Sequence, residues 1–214
     1  TQDFGSLYTL FDAFDSKFKN FAGKFRSYTQ NLGRIAGELQ EGVMKIRMVP
    51  ISQIFSRFPR VVRDLSRDLD KKIDLIIEGE DTELDKSVVE DLLDPIMHCV
   101  RNSLDHGVEA PEVRRAAGKN ETGTVCLRAR NEGNMIVIEI QDDGKGIDVD
   151  AVRNKAIERG LIHPDKIITD QEAFQFIFDA GFSTSKTISN VSGRGVGLDV
   201  VKTQIEKLNG TVVV

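Results

Sequence analysis

Three polar residues that could bind a metal ion or a phosphate are spaced four apart: His98, Asn102 and His106. They fall in a segment that is predicted to be a helix, Ser87–His106, on which positions i, i+4 and i+8 share one face. The side-chain carbonyl of Asn102 is a hard, neutral oxygen ligand that suits Mg²⁺. A solvated Asn and two structural His residues would give the same spacing, so the pattern by itself leaves a structural role open.

A second candidate is the segment Asp142-Asp143-Gly144-Lys145-Gly146, which directly follows the predicted strand Met135–Gln141. A carboxylate at the end of a strand can accept a hydrogen bond from an exocyclic amine such as that of adenine. The glycines two and four residues later would let a ligand approach the backbone closely. The alternative is a plain Asp-Gly turn between a strand and a helix.

Two further segments are rich in glycine. Gly181–Ser185 combines small and hydroxyl residues, including Thr184 and Ser185, and is typical of a lid over a ligand or of an ordinary surface loop. Three other glycines precede or open the predicted helix Val196–Leu208: Gly193, Gly195 and Gly197. Free N–H groups and the helix dipole favour phosphate at such a helix start. The segment is not a Walker A motif, because no Gly-Lys-Ser/Thr follows, and no strand precedes it directly as in a Rossmann start.

A mixed α/β region must position these segments. Ser87 is predicted to cap its helix, with Glu90 completing a capping box, and Gly107 is expected to end that helix. The remaining predicted elements are helices at Ile51–Leu69, Val149–Arg159 and Gln171–Phe178, and strands at Ile73–Glu78, Thr124–Arg130, Met135–Gln141 and from Thr211 onward. We expect a sheet with mainly antiparallel pairing and helices packed on one face, which is an α+β arrangement.

The first fifty residues carry a different pattern. Apolar residues recur at alternating steps of three and four, which is a heptad seam: Phe4, Leu7, Phe11, Phe14, Phe18, Phe21, Phe25, Tyr28, Leu32, Ile35 and Leu39. A helix across this seam would be about 54 Å long, so we expect it to form a helical bundle with a second copy of the chain. An internal core helix is the alternative, and Gly23 leaves room for a bend or a hairpin. Pro50 is predicted to end the helix.

Composition excludes several classes of protein. The chain has 214 residues, of which 40% are hydrophobic and 29% charged, so it is a globular rather than a disordered sequence. A formal net charge of −5 argues against nucleic acid as the main partner. No apolar run approaches the roughly 20 residues that a membrane helix needs. Cys99 and Cys126 are too few for a disulfide framework, which favours reduced thiols in a cytoplasmic protein.

In order, the four glycine- and Asn-containing segments resemble the N, G1, F and G2 boxes of the GHKL (Bergerat-fold) ATP-binding superfamily. The stretches "HCVRNSLDHGVE", "IQDDGKGID" and "GFSTSKTISNVSGRGVGLDVVK" are similar to those of the CheA family of chemotaxis histidine kinases. The resemblance runs from about Leu39 to the end, whereas residues 1–38 match only as a heptad-patterned part of the family's dimerisation region. It implies a helical dimerisation region at 1–49 and an α/β-sandwich ATP-binding domain at 50–214. The family's fold continues with two more strands, so we expect a C-terminally truncated core.

The resemblance also implies roles for individual residues. Asn102 would bind Mg²⁺ and the nucleotide phosphates, with His98 beside them. His106 would lie near the γ-phosphate, with Asp105 next to it, and the catalytic set would be His98, Asn102 and His106. Asp142 would bind the adenine of ATP, and the other nucleotide contacts would come from the glycines and the lid: Gly144, Gly146, Thr184, Ser185, Gly193, Gly195 and Gly197.

The function implied is that of a protein histidine kinase, which transfers the γ-phosphoryl of ATP to a histidine on a separate phosphoacceptor domain. The implied partners are a second copy of the chain, that acceptor domain, chemoreceptors, a coupling protein and response regulators, without nucleic acid or membrane insertion. Two alternatives stay open. A MutL-type or topoisomerase-type ATPase would use a Glu on the N-box helix to activate water, yet no Glu lies between Leu92 and Leu104. A dimeric scaffold with a degenerate nucleotide pocket is the other.

Overall fold

The computed structural model describes residues 2–164, 166, 168–182 and 197–214. The chain forms two compact units, Thr1–Met48 and Val49–Val214. The predicted class, α+β with a long N-terminal helix, is confirmed.

The first unit is one helix, α1 (Gln2–Arg47), of 46 residues. It passes Gly23 as a continuous helix, so the bend or hairpin that this glycine would permit does not form. Ion pairs four residues apart follow its surface, such as Arg34 with Glu38 at 2.6 Å. Ten side chains of the seam, from Leu7 to Leu39, are 45–71% exposed. The helix ends three residues before Pro50, because the residue before a proline is pushed out of the helical region.

The second unit alternates helices and strands. Its strands are β2 (Ile73–Glu78), β3 (Glu83–Asp85), β4 (Gly123–Glu132) and β5 (Met135–Asp142), and β3 pairs with the short strand β1 (Met48–Pro50). Its helices are α2 (Ser52–Phe55), α3 (Phe58–Asp68), α4 (Lys86–Asn102), α5 (Pro111–Ala116), α6 (Val149–Glu158), α7 (Asp170–Gln175) and α8 (Leu198–Lys207). A π-helical turn, Ser103–Gly107, extends α4, and a 3-10 turn, Phe176–Phe178, extends α7.

The larger sheet has the order β2-β4-β5. Strand β4 pairs in parallel with β2 and antiparallel with β5, and this register places Asp142 opposite Val125. The hairpin between β4 and β5 turns at Gly133, whose φ of 62° lies in the left-handed region that glycine adopts without strain. Asp142 therefore stands at the end of an outer strand of the three, beside the start of the central one.

The core lies between α4 and this sheet. Buried residues recur every three or four positions along α4 and into the following turn: Val89, Leu92, Ile96, Val100 and Leu104. They join one cluster with Val125 and Leu127 of β4 and with Phe55 and Phe58. Because burying each such side chain contributes about 1.5–3 kcal/mol, this packing fixes the helix whose end carries the predicted polar residues.

Three predicted elements are wrong in detail. Ile51–Leu69 is two helices, because Pro59 is tolerated only in the first turn of a new one. Ser87 is not the cap of α4: Asp85 is, and its Oδ1 accepts from the Ser87 backbone N–H at 2.9 Å. Residues 211–214 are not in a strand, and Val213 is 81% exposed.

Candidate functional site

The C-terminal end of α4 is a π turn and not a continuous α-helix. The N–H of Val108 donates to the carbonyl of Ser103 at 2.8 Å, a five-residue step, so the predicted helix reaches Gly107 but its last turn is π and not α. The Nζ of Lys71 donates to the carbonyls of Leu104 (2.6 Å) and Asp105 (2.9 Å). Burial lowers the pKa of Lys71 although Asp105 opposes this. The lysine thus satisfies carbonyls that the end of a helix leaves free, and π turns of this kind are frequent at functional sites.

The residues predicted to bind the metal and phosphates lie along this helix end. Asn102 is the last residue of α4 and is partly buried, as are His98 and Asp105, whereas His106 is exposed. Burial, and next the nearby Arg101, lower the pKa of His98, which Asp199 in the first turn of α8 partly opposes. At neutral pH the His98 imidazole is therefore uncharged and keeps a ring nitrogen that can accept or ligate.

Asp142 lies directly against the π turn. A Cβ built on Gly107 would be 2.8 Å from the Oδ1 of Asp142, so the carboxylate occupies the space that any larger residue at 107 would need. A Cβ on Gly144 would be 2.2 Å from the carbonyl carbon and oxygen of Gly107. The N–H of Lys145 also donates to the Gly107 carbonyl at 3.1 Å. The loop after β5 and the end of α4 thus form one surface with the Asp142 carboxylate on it.

Gly107 is a site residue that sequence reasoning missed, because it was assigned only to ending the helix. The Oδ1 of Asp142 accepts from the N–H of Gly144 at 3.1 Å. A carboxylate has about four acceptor positions, so others stay available to a ligand. Gly146, the other predicted glycine of this loop, is exposed and has a φ of 71°.

A buried arginine, Arg114, binds the loop that follows β5, and sequence reasoning missed it as well. Arg114 of α5 is 1% exposed and pairs with Asp143 (Nη2 to Oδ2, 2.8 Å) and with Glu109 (Nη1 to Oε2, 3.1 Å). These ion pairs raise the pKa of Arg114 against the effect of burial. The pKa of Glu109 is lowered, first by the hydrogen bond from Lys119. The pKa of Asp143 is lowered although burial opposes it, because it accepts from Thr124 and Arg114.

The start of α8 faces the same helix. Gly197 is the residue before its first turn, and it has no side chain with which to cap the N–H groups there. Uncapped N–H groups at a helix start, together with the helix dipole, suit a phosphate. The other predicted lid and phosphate-loop residues, Thr184, Ser185, Gly193 and Gly195, lie outside the described residues.

No group of three or more His, Cys, Asp or Glu side chains within the described ranges could hold a metal ion by itself. A Mg²⁺ at Asn102 would thus depend on phosphate oxygens and water for its other ligands, which is its usual coordination beside nucleotides. Among the helices of the described part of the chain, none has the length and apolar character to cross a bilayer.

Comparison with known proteins identifies the family of the chain. Residues 91–214 match the family model described as "Histidine kinase-, DNA gyrase B-, and HSP90-like ATPase". The chain is 73% identical over 206 residues to "Chemotaxis protein CheA" of Treponema pallidum (strain Nichols), and the alignment covers 96% of this chain and 25% of that protein. It is 56% identical over 199 residues to the protein of that name in Borreliella burgdorferi, an alignment that covers 93% of this chain and 23% of that protein. It is 55% identical over 196 residues to "Sensor histidine kinase CheAY" of Helicobacter pylori (91% and 24%).

The chain thus spans about a quarter of the length of each of these relatives. The predicted superfamily is confirmed, since the family model matches residues 91–214, which include the C-terminal part of α4 and the loop that carries Asp142. The chain belongs to the family of histidine kinase-, DNA gyrase B- and HSP90-like ATPases.

Proposed function

We propose that this chain supplies the dimerisation helix and the ATP-binding catalytic domain of a CheA-type chemotaxis histidine kinase. The observation that supports this most strongly is the placement of the Asp142 carboxylate. It stands at a strand end against two glycines, Gly107 and Gly144, at which no Cβ fits. An anionic acceptor fixed in this way suits a heterocycle that carries an amino group, and adenine is such a base.

In this proposal Asp142 accepts a hydrogen bond from the adenine amine, and Gly144 and Gly146 let the base lie close to the backbone. The base then lies beside the end of α4, and the triphosphate extends along the polar residues of that helix. The bond from the Lys145 N–H to the Gly107 carbonyl joins the loop to the π turn, and the bond from the Gly144 N–H to the Asp142 Oδ1 orients the carboxylate before a nucleotide binds.

The phosphates would contact Asn102 and the N–H groups of the first turn of α8, with His98, Asp105 and His106 nearby. Asn102 would help to hold Mg²⁺, whose charge would neutralise the charge that develops on the phosphates during transfer. We assign the remaining contacts to the segment before α8, with the residues Thr184, Ser185, Gly193 and Gly195.

The reaction is transfer of the γ-phosphoryl group to an imidazole nitrogen. The bond between the γ-phosphorus and the β–γ bridging oxygen breaks, a phosphorus–nitrogen bond forms, and ADP leaves. In-line transfer needs the acceptor on the far side of the γ-phosphoryl from ADP. His98 and His106 would belong to the wall of the pocket, and the third histidine, His163, lies in the segment between α6 and α7. We therefore infer that the acceptor histidine comes from another domain.

The heptad seam of α1 would bring two copies together. Its apolar side chains are 45–71% exposed in the single chain, and a continuous stripe of that kind marks an interaction surface. Pairing of two α1 helices buries it. In the complete kinase we infer cytoplasmic partners: the acceptor domain, chemoreceptors, a coupling protein and response regulators.

Transfer to a separate acceptor is tested by incubating the chain with labelled ATP, Mg²⁺ and a phosphoacceptor domain of this kinase family. Mass spectrometry under conditions that preserve phosphohistidine should place the label on the acceptor domain and on none of His98, His106 and His163. The Asn102→Asp variant, which adds negative charge beside the phosphates, should lose transfer. Label on a histidine of this chain without an acceptor, or steady release of phosphate with none on the acceptor, would contradict the proposal. A chain that binds ATP but neither transfers nor hydrolyses it would favour the scaffold alternative.

A further inference from the structure

We propose that Arg114 sets the adenine selectivity of the site by fixing the loop Asp142–Gly144, and that it does so without touching the nucleotide. The inference rests on the proposed nucleotide site. It assigns Arg114 as a positioning residue, and it gives the two neighbouring acids different tasks: Asp142 faces the ligand and Asp143 anchors the loop.

The contacts of Arg114 join three separate segments of the chain. Its Nε donates to the carbonyl of Asn120 at 2.7 Å, and its Nη1 donates to Glu109 at 3.1 Å and to the carbonyl of Asp143 at 3.2 Å. Its Nη2 donates to the Asp143 carboxylate at 2.8 Å. With 1% of the side chain exposed, solvent cannot replace these bonds. The guanidinium therefore ties the loop after β5 to the segment that follows the π turn.

Lys119 closes a second set of bonds on the same loop. Its Nζ donates to Glu109 at 2.9 Å and to the carbonyls of Asp143 (3.1 Å) and Gly144 (2.9 Å). Asp143 also exchanges bonds with Thr124: its carboxylate accepts from the Thr124 N–H at 2.9 Å, and its N–H donates to the Thr124 carbonyl at 3.2 Å. The backbone on the C-terminal side of Asp142 is thus held by side chains from two other segments.

The bonds from Arg114 and Lys119 to the loop Asp142–Gly144 are called the clamp here, and they determine where the Asp142 carboxylate lies. The Asp142 carboxylate accepts from the N–H of Gly144 and fills the space beside Gly107, and the clamp sets the position of Gly144. Arg suits the task because its planar guanidinium can hold two carboxylates and two carbonyls at once, whereas the single ammonium of Lys cannot reproduce that geometry. Displacement of a binding group by about 1 Å can cost two orders of magnitude in a site's performance, so loss of the fork should act on base recognition.

The test compares ATP with inosine triphosphate, which carries a carbonyl oxygen where adenine carries its amino group. Both dissociation constants are measured by calorimetry for the wild-type chain, Arg114→Met, Arg114→Lys and the control Arg115→Met. Arg115 is the next residue of α5, is 55% exposed and pairs with Glu112 and Glu121 instead. We expect the wild-type preference for ATP to fall at least tenfold in Arg114→Met, to fall less in Arg114→Lys and to stay unchanged in Arg115→Met.

The selectivity ratio separates positioning from a merely structural role. An Arg114→Met variant that unfolds at a lower temperature but keeps the wild-type ratio would overturn the inference. A wild-type chain without preference for ATP would instead refute the role of Asp142, whatever Arg114 does. If Arg114→Met does not fold, Asp143→Asn and Lys119→Met weaken the same clamp at positions that are 45% and 35% exposed. The same fall in the ratio is then expected, and an unchanged ratio in both variants would overturn the inference.

Discussion

Gly107→Ala is the substitution that perturbs the proposed adenine contact most selectively. Gly107 has no left-handed backbone conformation, so alanine can adopt its main-chain geometry. The added Cβ would lie 2.8 Å from the Oδ1 of Asp142, where ordinary contacts begin at 3.4 Å, so the carboxylate must retreat by about 0.6 Å. The two other nearest atoms, both at 2.9 Å, also belong to the carboxylate of Asp142, a side chain that can move.

A shift of that size disrupts a hydrogen bond to a charged acceptor, which typically contributes about 1.5–3 kcal/mol. We therefore expect ATP to bind roughly ten- to a hundredfold more weakly to Gly107→Ala, with a smaller loss for inosine triphosphate. Titration calorimetry measures both affinities, and circular dichroism checks that the variant is folded. Gly37→Ala is the matched control, since a Cβ there meets nothing within 4 Å. Wild-type affinity for ATP in a folded Gly107→Ala variant would refute the pocket geometry.

Three further predictions concern association, acid stability and thiol reactivity. Replacing Phe14 and Phe21 by Ser should convert dimers to monomers in light scattering, because both apolar rings are more than 65% exposed in the single chain; a wild-type chain that is monomeric at micromolar concentration would contradict this. Because the folded state lowers the pKa of Glu109 and Asp143 below their ordinary 4.5 and 3.8, the unfolded chain binds protons first as the pH falls. The free energy of unfolding, measured with urea, should thus drop as the pH falls below about 5 and through the folded pKa values. The drop should be less steep in the Glu109→Gln/Asp143→Asn variant. Equal slopes of unfolding free energy against pH in the two proteins would contradict a stabilising role of the ion pairs of Glu109 and Asp143. Burial raises the pKa of Cys99 to about 11. Alkylation of Cys99 by iodoacetamide at pH 8 should therefore be about a hundredfold slower in the folded protein than in urea, and equal rates would argue against the burial of Cys99.

Periodic segments were predictable from the sequence, and the details of their ends were not. The seam of α1 and the strands β2, β4 and β5 follow from regular spacing of apolar residues, which local sequence carries in full. The split of Ile51–Leu69 carried a local signal in Pro59 that the apolar pattern concealed. The cap of α4 depends on where β3 ends, since Asp85 must leave the strand before its carboxylate can accept from Ser87.

Those residues of the candidate site that lie in short sequence motifs were predictable from the sequence. Asp142 and the polar residues of α4 stand in recognisable patterns. Arg114 carries no such pattern, because its partner Asp143 is 29 residues away and only the fold brings the two together. Gly107 is similar: its contact with Asp142 depends on the π turn, and that five-residue step has no local sequence signal. Long-range contacts of this kind are fixed by tertiary packing.

The central claim is that the Asp142 carboxylate binds the adenine of ATP in the pocket it forms with Gly107 and Gly144. Calorimetric titration of the wild-type chain and of Asp142→Asn with ATP and Mg²⁺ tests it most directly. We predict one ATP per chain for the wild type and binding weakened by about 1–3 kcal/mol in Asp142→Asn, because the amide can present a donor to the adenine amine where the carboxylate accepted from it. Equal affinity of the two proteins for ATP would contradict the account.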